Sequence, residues 1–297
     1  MGKLLKKIIA VTLCFQLAFY GVISAFGQSV NNFNRADDYI PSVEPVIPYT
    51  QYFWDKSSDK SLANYSAKVL TVPSALGGWG NVFFDGMGIT YPASYTTKFD
   101  ATYSLGAGLF NPFKSIGIQL TFNSLNTNHL FDPERFSSNF KIHRYLVKGI
   151  AVAVGGENVL RSKRVWGGNN YYFVVTKINQ TDAPSFFERR VSVTVGGGTG
   201  RFSKKSSMDI STDKGERGTS VFGAFSFELL MPANFKLFPS ANIIAEWNGV
   251  NVGAGISVTL LREKMPININ IGATDFTGNS GSGVRLFSSV SLTTDFR

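Results

Sequence analysis

From about residue 67 onward, apolar and polar positions alternate along the chain. Phe99–Leu109 switches character at every residue through "FDATYSLGAGL". Ile116, Ile118, Leu120 and Phe122 alternate with Gly117, Gln119, Thr121 and Asn123. Val250, Val252, Ala254, Ile256 and Val258 alternate with Asn251, Gly253, Gly255 and Ser257, and Ile267, Ile269 and Ile271 with Asn268, Asn270 and Gly272. A period of two puts one apolar and one polar or small face on each strand. No stretch past residue 66 carries a helical period. Strands are predicted near 79–90, 98–109, 114–123, 137–146, 149–157, 170–178, 189–198, 219–230, 240–248, 250–261, 266–275 and 284–296. That makes about twelve, with fourteen as the alternative. Turn chemistry separates them at Asn111-Pro112, Lys148-Gly149, Asn248-Gly249 and Gly278-Asn279.

Alternation suits a soluble sandwich and a membrane barrel alike, so the identity of each face decides the class. The strands approach the roughly 9–11 residues that a tilted transmembrane strand needs. The polar face is rich in Asn, Thr, Ser and Gly rather than Lys and Glu, as in a shared interior. Aromatic residues recur near strand ends, among them Tyr91, Trp247 and Phe296. These features predict an all-β, antiparallel transmembrane barrel, closed because hydrocarbon tolerates no unpaired backbone edge. With both termini at one end, the longest connection, 199–218, falls at the opposite, outer end. Ala67–Val72 could form a thirteenth strand, but even parity then fails, and "AKVLTVPSA" is assigned to the periplasmic mouth or the lumen.

Composition agrees. Charged residues make up 16% of the 297 and aromatics 14%, with 26 Phe and 30 Gly, whereas soluble domains carry about 25% charge. Met1–Lys7 holds three lysines, an apolar run follows from Ile8 to about Ile23, and Ala25-Phe26-Gly27 ends it. This is the layout of a secretory signal peptide, cleaved near Gly27. The single cysteine, Cys14, lies inside it, so the exported chain has no disulfide. Loss of the signal leaves 26 basic and 20 acidic residues. Residues 28–78 form a Pro-rich periplasmic or lumenal leader, and residues 79–297 the barrel.

The stretch "VSVTVGGGTGRFSKK" at 191–205 invites a phosphate-loop reading. A P-loop needs a Gly-Lys-Ser/Thr end that opens a helix, and neither is present. The glycines read as a narrowing of the lumen where a strand leaves for the longest outer loop. The C-terminal "GVRLFSSVSLTTDFR" resembles the assembly signal of Gram-negative outer-membrane barrels, with Phe296, Leu292, Val290, Leu286 and Val284 matching and two departures, Arg297 after the aromatic and Ser288 and Thr294 on the apolar side. That resemblance implies the barrel assembly machinery as a partner. "VLTVPSA" at 69–75 and "IIAEWNGVNVGAGIS" at 243–257 resemble YjbH-type barrels, which implies a link to exopolysaccharide or capsule export.

Candidate chemistry is sparse. The two histidines, His129 and His143, lack a nucleophile or ligand set at workable spacing. The expectation is a chain that is not an enzyme and carries no cofactor or metal. Alternation points Asp100, Gln119, Lys141, His143, Glu228, Glu246 and Arg285 into the lumen, where opposite charges either pair and plug it or line a polar path. Arg161, Lys163, Arg164, Arg201, Lys204 and Lys205 form a basic cluster on outer loops, suited to lipopolysaccharide phosphates or an acidic polymer. Export excludes nucleic acid as a partner. The functions expected are passage of a polar solute or polysaccharide through the lumen, or a structural role in which residues 28–65 dock a periplasmic protein.

Overall fold

The computed structural model describes residues 67–91, 100–124, 135–146, 149–162, 168–181, 188–204, 218–231, 237–260, 266–279 and 283–295. The signal, residues 28–65, His129, Lys163, Arg164, Lys205 and Phe296 lie outside them.

Twelve strands form: β1 Asn81–Tyr91, β2 Asp100–Leu109, β3 Gly117–Ser124, β4 Phe136–Tyr145, β5 Ile150–Arg161, β6 Asn170–Thr181, β7 Glu188–Gly198, β8 Val221–Leu230, β9 Ser240–Trp247, β10 Val252–Leu260, β11 Ile267–Thr274 and β12 Arg285–Asp295. Each pairs antiparallel with its sequence neighbours, and β1 pairs with β12 from Asn81↔Asp295 to Tyr91↔Leu286 to close the barrel. Closure satisfies every ladder and leaves no edge strand. Both ends of the barrel sequence therefore lie at one end, called here the terminal end. The long β7–β8 connection lies at the far end.

The two faces are inverted relative to a soluble protein. Leu105, Phe122, Leu160, Phe173, Val195, Phe225, Ile243 and Ile256 are exposed on the outside, whereas Asn123, Thr194, Ser226, Asn242, Ser257 and Asn270 are buried inside. Apolar side chains turned outward find favourable surroundings only in hydrocarbon. The even strand count and the inside–outside assignment follow the alternation. The β9–β10 connection, at only four residues unusually short for a far-end loop, is a tight turn. The Asn248 side-chain oxygen accepts the N–H groups of Val250 at 3.0 Å and Asn251 at 2.7 Å, and Gly249 takes φ +97°. Two irregularities interrupt the ladders, between Gly86 and Ile89 in β1 and opposite Ser138–Phe140 in β5.

Candidate functional site in the barrel lumen

Residues 67–79, "AKVLTVPSALGGW", lie inside the barrel, and Ala67 to Gly78 are all buried. Pro73 and the Gly77-Gly78 pair suit neither a helix nor a ladder strand, so this backbone cannot satisfy itself. The lumen wall supplies its partners. Ala67 N–H donates to Ser257 Oγ at 2.9 Å, and Asn242 Nδ2 donates to the Ala67 carbonyl. Glu246 accepts from the N–H groups of Leu70 and Thr71 at 2.9 Å each, and from the Thr71 hydroxyl. Ala75 N–H donates to Thr176 Oγ1 at 3.0 Å, and Gly78 N–H to Gln119 Oε1 at 3.1 Å. Lys141 Nζ donates to the Leu76 carbonyl at 2.8 Å. The segment thus runs from the terminal half, beside Asn242 and Ser257, to the far half at Glu246. It then descends past Thr176, Lys141 and Gln119 to join β1, with Gly80 N–H on Gly108 O at 2.7 Å.

Its apolar side chains pack in two separate clusters against the wall. Val69, Val72, Ala75 and Leu76 pack with Ala151, Ala153, Tyr172, Val174, Phe202, Phe222 and Ala224. Ala67 and Leu70 pack with Ile244 and Phe287. Small residues on both partners make the fit. A Cβ on Gly77 would meet the His143 ring at 2.6 Å, and one on Gly108 would collide with the Gly78 backbone. His143 is packed between Gly77 and Gly117, and neither of its ring nitrogens has a hydrogen-bond partner. No convergent catalytic partner surrounds it among the described residues.

Three ion pairs lie in the lumen. Lys68 forms an ion pair with Glu228, both fully buried, and Arg190 Nη1 stands 3.8 Å from the same carboxylate. Arg201 grips Glu157 through Nε at 2.7 Å and Nη2 at 3.0 Å, and Nη2 also donates to the Thr71 carbonyl at 2.8 Å. Buried charges are tolerated when an opposite charge stands beside them, and each of these cations lies within ion-pair distance of a carboxylate. Arg285 is buried in the wall of β12, and Asp100 opens β2 at the far end, placed by its backbone.

The glycine run acts by steric room. A Cβ on Gly196 would collide with the Phe222 ring, and one on Gly198 would meet Phe202 at 2.6 Å. Gly200 takes φ +62° and opens a 3-10 turn over Gly200–Phe202. That turn drops Phe202 into the far mouth, its ring 4.5 Å from Phe222, and aims Arg201 inward. Arg201 is therefore a lumen latch and does not stand with the surface cations. Arg161 and Lys204 are exposed at the far end. Trp247 sits on the outer face at that end with Nε1 donating to Thr219 Oγ1 at 3.0 Å, and Tyr91 ends β1 at the same end, four strands away.

Sequence reasoning missed Lys68, Glu157 and Arg190. The one available signal was parity: Arg190 shares the inward face with Ser192 and Thr194. Lys68, a lone cation in an apolar stretch, has no strand period to orient it.

A closed antiparallel sheet with a lipid-facing apolar exterior, a polar interior and its own chain in the lumen defines a transmembrane β-barrel of the outer-membrane kind. No protein-family profile and no curated protein matches this chain, and the likeness to YjbH-type barrels gains no support. Among solved structures, the chain is similar to LpxR from Salmonella typhimurium, at 10% identity over 73% of this chain and 100% of that one, with a TM-score of 0.32. The expectation that this chain is not an enzyme is withdrawn. A likeness of this size assigns no activity to the chain.

Proposed function

We propose that the protein is a gated outer-membrane conduit for a polar solute or polysaccharide, shut by residues 67–79. The observation that carries this reading is the mode of attachment. The wall holds the segment through polar side chains, not through a strand ladder. Carboxylates, amides, hydroxyls and an ammonium contact the segment's backbone, and the same groups would line a polar path once it leaves. Among the described residues, side chains stand across the far mouth: Phe202 as a stopper and Arg201 bridging Glu157 to Thr71. Ala67 is held in the terminal half, so the leader is continuous with the segment at that end. A periplasmic partner that pulls on residues 28–65 would draw it out. Delivery by a signal cleaved near Gly27 belongs to the same reading.

The test is conductance in a planar bilayer. The full chain is expected to be closed, with rare openings. Removal of residues 67–78 with β1 retained should give a steady open state. A barrel that folds without the segment and still conducts nothing would overturn the conduit reading.

A further inference from the structure

We propose that the lipid-facing wall of β4–β7 carries a binding surface for anionic phospholipid headgroups, formed by Arg144, Lys177 and Arg189 near the terminal end. The proposal rests on the membrane reading of the barrel and on nothing that passes through its lumen.

The observation is a segregation of charge. On the strands, Lys141, Glu157, Arg190, Glu228, Glu246 and Arg285 are buried inside, and Arg161 pairs with inward-facing Ser137 at the far mouth. Among strand residues with described side chains, the charged groups that point outward are Arg144, Lys177 and Arg189. All three are cations. Arg144 shares its face with exposed Ile142, Lys177 with exposed Phe173, and Arg189 with exposed Val193. Each lies in the terminal half of its strand.

The register brings them together. Arg144 lies opposite Val152, Val152 opposite Val175, and Lys177 is two residues beyond on the same face. Strand spacing and rise put Arg144 and Lys177 about 12 Å apart. Lys177 lies opposite Val193, and Arg189 is four residues beyond, about 14 Å away. Long cationic side chains lay their stems along the intervening valines and lift their heads to the headgroup layer. Arg supplies a fork that matches phosphate. A cationic patch beside hydrocarbon attracts anionic headgroups and repels none of them. In barrels of this kind the short turns face the periplasm, and there the leaflet is phospholipid, so the occupant is an anionic phospholipid rather than lipopolysaccharide.

The experiment uses the full chain in micelles that hold equal phosphatidylglycerol and phosphatidylcholine, with native mass spectrometry counting the retained lipid. Phosphatidylglycerol should be enriched. Arg144→Gln with Arg189→Gln should lower the enrichment about fivefold for each charge removed. Arg144→Lys with Arg189→Lys should keep most of it, which separates charge from a folding defect. Arg161→Gln with Lys204→Gln, at the far end, should change nothing. No preference in the parent, an unchanged preference in the double Gln variant, an equal loss from the far-end pair, or displacement by lipopolysaccharide would each overturn the proposal. Recovery of the chain as a detergent-free soluble monomer would instead overturn the membrane reading beneath it.

Discussion

Lys141 of the barrel wall donates from Nζ to the carbonyl oxygen of Leu76 at 2.8 Å, with both residues buried. The bond joins a strand of the wall to the segment inside it, and it stands on the polar surface that a solute would meet. Lys141→Met keeps the stem and removes the donor, which leaves the Leu76 carbonyl without that partner at a cost of about 1–3 kcal/mol. The barrel should still fold, and the segment should open more often, seen as more frequent conductance events.

Glu246 is the stronger latch because one carboxylate accepts from two backbone N–H groups and a hydroxyl. Glu246→Ala should release residues 70–71 and expose Lys68 to trypsin in a barrel that stays heat-modifiable on gels. Glu246→Gln keeps an acceptor oxygen and should be intermediate. Equal trypsin resistance in parent and Ala variant would show that the latch lies elsewhere.

The Lys68–Glu228 pair calls for a double-mutant cycle. Lys68→Met removes the ammonium from the buried Glu228 carboxylate and leaves Arg190 Nη1 3.8 Å away, at a cost of about 3–5 kcal/mol. Adding Glu228→Gln removes the stranded charge and should recover much of that loss. Thermal unfolding of the detergent-solubilised barrel reads both, and additive effects would show that the pair is not coupled.

Gly196→Val drives a branched side chain into the Phe222 ring and toward the Phe173 carbonyl at 2.7 Å. Overpacking of this kind costs about 1–3 kcal/mol. The variant should unfold at lower temperature and loosen the Phe202–Phe222 contact at the far mouth. Gly197, whose Cβ would meet only the Ser220 carbonyl at 3.4 Å, should accept Ala with little change.

Ile243 is exposed on the outer face midway along β9. Ile243→Arg puts a cation against hydrocarbon, at a cost of about 2–4 kcal/mol near mid-depth. Membrane-inserted, heat-modifiable protein should fall relative to Ile243→Ala. Normal assembly would mean that the faces are reversed.

What the sequence determined alone was local and periodic. A side-chain period of two marks a strand and both its faces without reference to any neighbour, so twelve strands, the lipid side at Phe225 and Ile243, and the lumen side at Gln119, Lys141, His143, Glu228 and Glu246 were legible. The glycines of "VGGGTG" were legible as a narrowing, because no helix follows them. Tertiary structure decided what occupies the lumen. Residues 67–79 have no period, and their partners stand as far as 190 residues away in sequence, as between Ala67 and Ser257. Only closure of the sheet brings Glu246, Lys141, Thr176 and Gln119 round one backbone. Arg201 shows the same limit: its sequence neighbours place it in a basic loop, but Gly200 at φ +62° turns the chain inward. Its charge is then answered by Glu157, 44 residues earlier in the chain.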